Sequence, residues 1–222
     1  MSAKRIGIVG GTGKLGAALA SRWLKAGLDV QIGSRSPEKA HECAALLNKQ
    51  LGTDAAAGSN SEIAAQSDLL VVTVPFAAQE ATLSEIRPHT AGKLVVDTTV
   101  PLVPPKVMRV QMPPEGCAAV KAQQLLGRDT QVVSAFHNVA AHRLATAEAI
   151  RCDVMVFGDS RAARQQVVDL ANKAGLRGIH AGALANSVAA EALTSILIFV
   201  NKTYAVDGAG VEFTGDLVMP NE

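Results

Sequence analysis

The six residues Gly11-Thr12-Gly13-Lys14-Leu15-Gly16 restrict this chain to very few folds, because they satisfy G-x-G-x-x-G in the one context where that pattern has physical content. A short apolar run, Arg5-Ile6-Gly7-Ile8-Val9, precedes them, and Leu15 to Leu24 then carries apolar residues at helical spacing with Gly27 as a stop. The order is strand, tight turn, helix. Gly11 permits the sharp turn, Gly13 lets backbone approach a pyrophosphate, and Gly16 lets the helix pack close to the sheet. The unpaired N–H groups at such a helix start attract an anion.

The rest of the chain repeats the alternation. Val30-Gln31-Ile32-Gly33 reads as a second strand, and Ser36-Pro37 as an N-cap followed by proline at the first helical position, opening a helix to about Leu51. Further strands are predicted over Leu69 to Val74, Leu94 to Val96, Val132 to Ala135 and Val154 to Phe157. Continuous rather than alternating apolar runs are expected of strands buried on both faces of a parallel sheet. The fold class is therefore α/β, a Rossmann-like, doubly wound, mostly parallel sheet, with a small C-terminal helical segment. We expect residues 1–180 to form the dinucleotide-binding domain and residues 181–222 to complete a pocket for the second substrate. The five prolines between Pro101 and Pro114 mark a long surface connection.

A formal net charge of +1 offers no broad field for nucleic acid or anionic lipid, so function must reside in a local site. Cys43, Cys117 and Cys152 are odd in number and widely spaced, which disfavours a disulfide framework and fits a reducing, cytoplasmic setting. The N-terminus shows no apolar signal run, and the apolar stretch from Ala192 to Val200 is too short to span a bilayer, so no membrane association is expected. The five histidines show no ligand spacing, and no metal is expected.

Cofactor choice is decided after the second strand. An NAD site places an acid there for the ribose 2′-hydroxyl, whereas this chain has Gly33-Ser34-Arg35-Ser36. The Arg35 guanidinium can pair with a 2′-phosphate, the Ser34 hydroxyl can donate to it, and Lys39 stands one helical turn further on, so NADP is preferred. Two apolar runs end at Val74-Pro75-Phe76 and at Val100-Pro101, at strand ends that border the crevice of a doubly wound sheet. Val74, Pro75, Phe76 and Val100 are therefore expected to line its nicotinamide half.

With these residues in place, the chain resembles the F420-dependent NADP oxidoreductases over nearly its whole length. The resemblance rests on Gly10 to Gly16, on Gly33-Ser34-Arg35 with Lys39, and on Pro75-Phe76. It continues through Ser134-Ala135-Phe136-His137, Asp153 to Gly158, and Ala181-Gly182 leading to Asn186-Ser187. It implies hydride transfer between NADP(H) and the deazaflavin coenzyme F420, with Thr12, Gly13, Lys14, Leu15, Ser34, Arg35 and Lys39 holding NADP. His137, Val139 and Thr194 would face the second ring. The chain departs from the family pattern on the acceptor side, with Val188 where an arginine is expected and Ala192 where a hydroxyl residue is expected.

No nucleophile is required, since the cofactors perform the chemistry and the protein supplies alignment and dryness. His137 is the one possible participant, and Asn186 caps the last helix or donates to substrate. The departures at Val188 and Ala192 leave open an NADPH-dependent reductase of FMN, FAD or another small acceptor, and a non-catalytic NADPH-sensing module. The helical pattern from Asn186 to Asn201 is apolar on most faces, which suggests a homodimer.

Overall fold

A computed structural model describes residues 4–218, so the outer ends of both expected segments lie outside the described residues. In chain order the elements are β1 (Ile6–Val9), α1 (Lys14–Lys25), β2 (Val30–Ser34), α2 (Pro37–Leu51), β3 (Ala56–Ser59) and α3 (Asn60–Gln66). There follow β4 (Leu69–Val72), α4 (Phe76–Ile86), β5 (Leu94–Asp97), α5 (Ala118–Leu126) and β6 (Gln131–Ser134). The last are α6 (Ala141–Leu144), β7 (Asp153–Val156), α7 (Arg161–Lys173), β8 (Arg177–His180) and α8 (Ser187–Tyr204).

Six strands form a wholly parallel sheet in the order β3-β2-β1-β4-β5-β6. The order reverses beside β1, which opens a crevice outside the carboxyl ends of β1 and β4. Neighbouring residues of each strand enter opposite layers: Ile8, Val71, Val96 and Val133 join one buried cluster, while Val9, Leu70, Val72, Val95 and Val132 join the other. Period-two alternation between two dry layers explains why these segments read as unbroken apolar runs.

The structure differs from expectation in three places. The segment at Val154 does not extend the main sheet: β7 pairs only with β8, and a single antiparallel bridge between Ser134 and Phe157 joins that pair to β6. The fourth strand ends at Val72, and Phe76 opens α4 with Pro75 as its N-cap. Proline has no N–H to place in a ladder and readily precedes a helix, so the strand stops early. Ser36 does occupy the N-cap of α2, but its hydroxyl donates to Glu38 Oε2 at 2.7 Å and caps no backbone amide.

α8 is longer than the pattern indicated. Leu184–Tyr204, with a mean hydropathy of 1.4, has the length and composition of a membrane span, which the shorter run from Ala192 to Val200 lacks. Near its start, however, lies Glu191, whose carboxylate is buried and hydrogen-bonded to α5, an arrangement suited to a helix docked on a protein body. Ile196 and Phe199 on the same helix are about half exposed, at 49% and 51%.

Candidate active site

The crevice is built from the carboxyl ends of five strands, from β2 to β6, a span of roughly 19 Å at about 4.8 Å per neighbour. At its centre the chain leaves β1 through Gly10, whose φ of 76° lies in the left-handed region. A Cβ there would sit 2.6 Å from Val74 Cγ1. The left-handed turn position is therefore Gly10, one residue before the glycine to which the motif assigned it. Gly11 is required for a different reason: its Cβ would lie 2.9 Å from the Ile8 carbonyl oxygen and 3.0 Å from the Ile32 side chain. Gly16 packs α1 against the strand ends, where a Cβ would come within 2.6 Å of Thr73 Oγ1 and 2.8 Å of Gly11 Cα.

Gly13 is the N-cap of α1 and is exposed, with ordinary φ of −71°. No side chain caps this helix, and no acidic residue occupies its first turn. Its leading amides consequently present partial positive charge to the crevice, and a phosphate can take the place of a capping side chain. Lys14 is exposed beside them, Thr12 and Leu15 are half-buried, and Gly11 is buried.

Ser34, the last residue of β2, is buried, and its Oγ lies 3.4 Å from Thr12 Oγ1 while accepting the Ser36 N–H at 3.2 Å. Arg35 and Lys39 are exposed. Among the described residues neither has a hydrogen bond or ion pair recorded, so both cations are available next to the turn. The nearby Glu38 carboxylate is held below the usual carboxylate range, first by the Ser36 hydroxyl.

On the other side of the turn, Thr73 Oγ1 donates to the Val9 and Gly10 carbonyls, each at 3.1 Å, which fixes the end of β4 against the turn. Thr98 Oγ1 donates to Val72 O at 2.9 Å and aligns the end of β5 in the same way. Val74, Phe76 and Val100 are half-buried and Pro75 is exposed, as surfaces open to a ligand must be.

Beyond β6 the chain turns at Phe136, a non-glycine residue with φ of 66°. Its ring packs edge-on against Trp23, with centroids 6.0 Å apart, which holds the unfavourable conformation. His137 follows, buried, with its ring 6.3 Å from Phe157 and no partner for Nε2. Burial pushes its pKa down to about 3, so the imidazole is neutral at physiological pH and can donate or accept one hydrogen bond without carrying charge. Val139 is packed in the larger apolar cluster. The Thr194 hydroxyl contacts His137 O at 3.0 Å and receives Asn138 Nδ2 at 3.1 Å, so it ties α8 to the His137 loop. Asn186 is exposed and makes no side-chain cap. It lines a cavity of about 620 Å³ with Val188, Met155, Phe157 and His180, at the outer edge of the site. A groove of about 590 Å³ between α5 and α7, lined by Gln123, Arg128 and Asp159, contains none of the sequence-predicted site residues.

Sequence reasoning missed a buried polar network beneath the acceptor side. Glu191 accepts the N–H groups of Ala118 at 2.7 Å and Ala119 at 3.1 Å, and the Ser187 hydroxyl at 2.8 Å; Ser187 in turn meets Ser134 Oγ at 2.7 Å. Asp97, fully buried at the end of β5, accepts Thr99 Oγ1 at 2.6 Å and Gln79 Nε2 at 2.9 Å. Burial raises the Asp97 pKa to about 7, and Glu191 adds to that rise. A lone acid inside an apolar helix was the available signal for Glu191. Among the described residues no group of three or more His, Cys, Asp or Glu could hold a metal ion.

Fold and site define a Rossmann-type α/β protein with a glycine-rich turn, a helix start without a side-chain cap, and Ser34-Arg35 at the strand end beside it. Residues 5–101 match the profile of the family described as NADP oxidoreductase coenzyme F420-dependent. An F420-dependent NADP reductase of Methanothermobacter thermautotrophicus is 36% identical over 219 residues, covering 95% of this chain and 94% of that one. Another from Methanocaldococcus jannaschii is 34% identical over 220 residues, covering 95% and 98%. A solved structure from Arthrobacter sp. FB24, described as a candidate F420-dependent NADP reductase, superposes with a TM-score of 0.83 at 20% identity, covering 96% of this chain and all of that one. The chain belongs to the F420-dependent NADP reductase family.

Proposed function

We propose that this protein transfers hydride between NADP(H) and coenzyme F420. The observation that carries the reading is the juxtaposition of an uncapped helix start with Ser34, Arg35 and Lys39, in a chain aligned end to end with F420-dependent NADP reductases. The residues present fit a dinucleotide phosphate. Gly13 leaves the turn open, the leading amides of α1 are free of side-chain caps, and the two positions at the end of β2 hold Ser34 and Arg35 in place of an acid.

In this reading the amides of the turn hold the pyrophosphate, while Ser34, Arg35 and Lys39 hold the 2′-phosphate. Val74, Pro75, Phe76 and Val100 form an apolar shelf that keeps water from the reacting carbons, and neutral His137 offers a hydrogen bond to the acceptor ring. The nicotinamide, when bound, supplies or receives the hydride. The protein contributes proximity and alignment. Mixing NADPH with F420 under anaerobic conditions should bleach the deazaflavin absorbance stoichiometrically; a protein that binds NADPH and leaves F420 oxidised sinks the reading.

Val188 faces the outer cavity without charge, which favours a flavin or another less anionic acceptor as the second reading. An acceptor panel including FMN and FAD separates the two. We further infer a cytoplasmic homodimer in which the half-exposed Ile196 and Phe199 of α8 are covered by a second copy. Sedimentation equilibrium should give twice the chain mass at micromolar concentration, and a monomer there rejects the dimer.

A further inference from the structure

Asn60, the first residue of α3, belongs to none of the motifs above, yet it stands in the wall between the phosphate turn and the end of β2. It is 1% exposed. Its Oδ1 accepts the Gly10 N–H at 3.1 Å, and because only the oxygen of an amide can accept, that contact fixes the orientation of the whole group. β3 pairs with β2 in the register Gly33 to Gly58 and Ser34 to Ser59, so Asn60 follows directly on the residue alongside Ser34. A Cβ on Gly33 would lie 3.1 Å from Asn60 Oδ1, so the glycine there makes room for the amide.

With the oxygen committed to the turn, Nδ2 has no acceptor. A buried donor left unpaired costs a sizeable fraction of a domain's net stability. Ser34, at the end of the neighbouring strand, is already engaged, accepting from Ser36 N and contacting Thr12. An acceptor oxygen carried by a ligand would satisfy it.

We propose that Asn60 is a further dinucleotide-binding residue: Oδ1 clamps the Gly10 turn, and Nδ2 donates to an oxygen of the adenosine ribose and its 2′-phosphate. The proposal rests on the NADP reading above and adds a contact to it. A dinucleotide held at once by the α1 amides and by Ser34 and Arg35 carries those oxygens past the segment that Asn60 supports. A purely structural clamp would involve Oδ1 alone and leave Nδ2 indifferent to ligand.

The test uses wild-type protein labelled with ¹⁵N-asparagine and titrated with 2′,5′-ADP, which carries the adenosine ribose and 2′-phosphate without the nicotinamide. The Asn60 side-chain amide pair, assigned by through-bond correlation, should shift and exchange more slowly with solvent at saturation, and NMN should leave it unmoved. An unmoved pair at saturating 2′,5′-ADP overturns the proposal. In parallel, Asn60→Asp keeps an acceptor for the Gly10 N–H and removes the donor. NADPH affinity should fall by about tenfold or more, the buried carboxylate lowering the thermal midpoint as well, and an affinity within twofold of wild type counts against the contact. Should the variant fail to fold, the wild-type titration still decides. Failure of the wild type to bind either NADPH or 2′,5′-ADP removes the NADP reading itself, a result distinct from binding with a silent Asn60.

Discussion

Glu191 on α8 accepts the backbone N–H of Ala118, the first residue of α5, at 2.7 Å. One carboxylate thus replaces a side-chain cap for α5, whose N-cap residue Cys117 provides none, and fastens the acceptor-side helix to the Rossmann body. A carboxylate at a helix N-terminus is favoured by the partial positive charge of the free amides, which offsets part of its desolvation.

Glu191→Ala strips two amides and the Ser187 hydroxyl of their acceptor inside the protein. The loss should be about 1–3 kcal/mol for a buried donor left without an acceptor, read from urea unfolding by circular dichroism. A loss under about 1 kcal/mol, the range of surface changes, would show that water replaces the carboxylate freely.

Two buried groups titrate with opposite sign in the same pH window. Asp97 keeps its proton in the fold up to about pH 7 against a reference of 3.8, so unfolding releases a proton between these values and stability falls as pH rises. His137 stays neutral in the fold down to about pH 3 against a reference of 6.5, so unfolding takes up a proton and stability rises with pH through that window. Between roughly pH 4 and 6.5 the two slopes oppose each other at about 1.4 kcal/mol per pH unit each. Relative to wild type, Asp97→Asn should therefore make the slope of stability against pH more positive over this range and His137→Asn more negative, while Glu191, whose raised pKa gives a slope of the same sign as Asp97's, acts in both variants. Urea midpoints at four pH values read both. Parallel profiles for the two variants contradict the assignment.

The glycines of the turn separate folding from binding. Gly16→Ala places a methyl group 2.8 Å from backbone Gly11 Cα and should destabilise by about 1–3 kcal/mol. Gly13→Ala meets nothing closer than Gly10 O at 3.3 Å and has an ordinary φ, so stability should stay within about 1 kcal/mol of wild type. Its methyl group occupies the face on which a phosphate must come within about 3 Å of the amides, and NADPH affinity should drop at least tenfold. Equal affinity for NADPH in Gly13→Ala and wild type, measured by fluorescence titration, would move the phosphate elsewhere.

How much of this was legible in the sequence depends on where each partner lies along the chain. The glycine-rich turn between β1 and α1, and the end of β2 at Ser34, could be read directly, because their pattern is written in consecutive residues and needs only a strand before and a helix after. β3 and β8 could not: Ala56-Ala57-Gly58-Ser59 and Arg177-Gly178-Ile179-His180 have no apolar run, and each is held by the strand beside it. Gly178 illustrates the reason, since its Cβ would lie 2.8 Å from Val168 O, a demand set by α7 and invisible in the strand itself. Asn60 and Glu191 were missed because their partners are backbone amides 50 and 73 residues away, which no side-chain motif records.

Arg35→Glu reverses the charge at the position proposed to distinguish the two nicotinamide dinucleotides. The guanidinium is exposed and, among the described residues, makes no hydrogen bond or ion pair, so the change should leave stability within about 0.5 kcal/mol of wild type. NADPH should bind about a hundredfold more weakly, because a charge-assisted pair is replaced by repulsion of a 2′-phosphate. NADH has no such phosphate, and a carboxylate there can accept from its ribose 2′-hydroxyl, so its affinity should hold or rise. Calorimetric titration of both dinucleotides into both proteins gives the four constants required. If NADPH and NADH lose affinity by the same factor, Arg35 acts on the pyrophosphate they share, and the choice of NADP must be made by Ser34 and Lys39 alone.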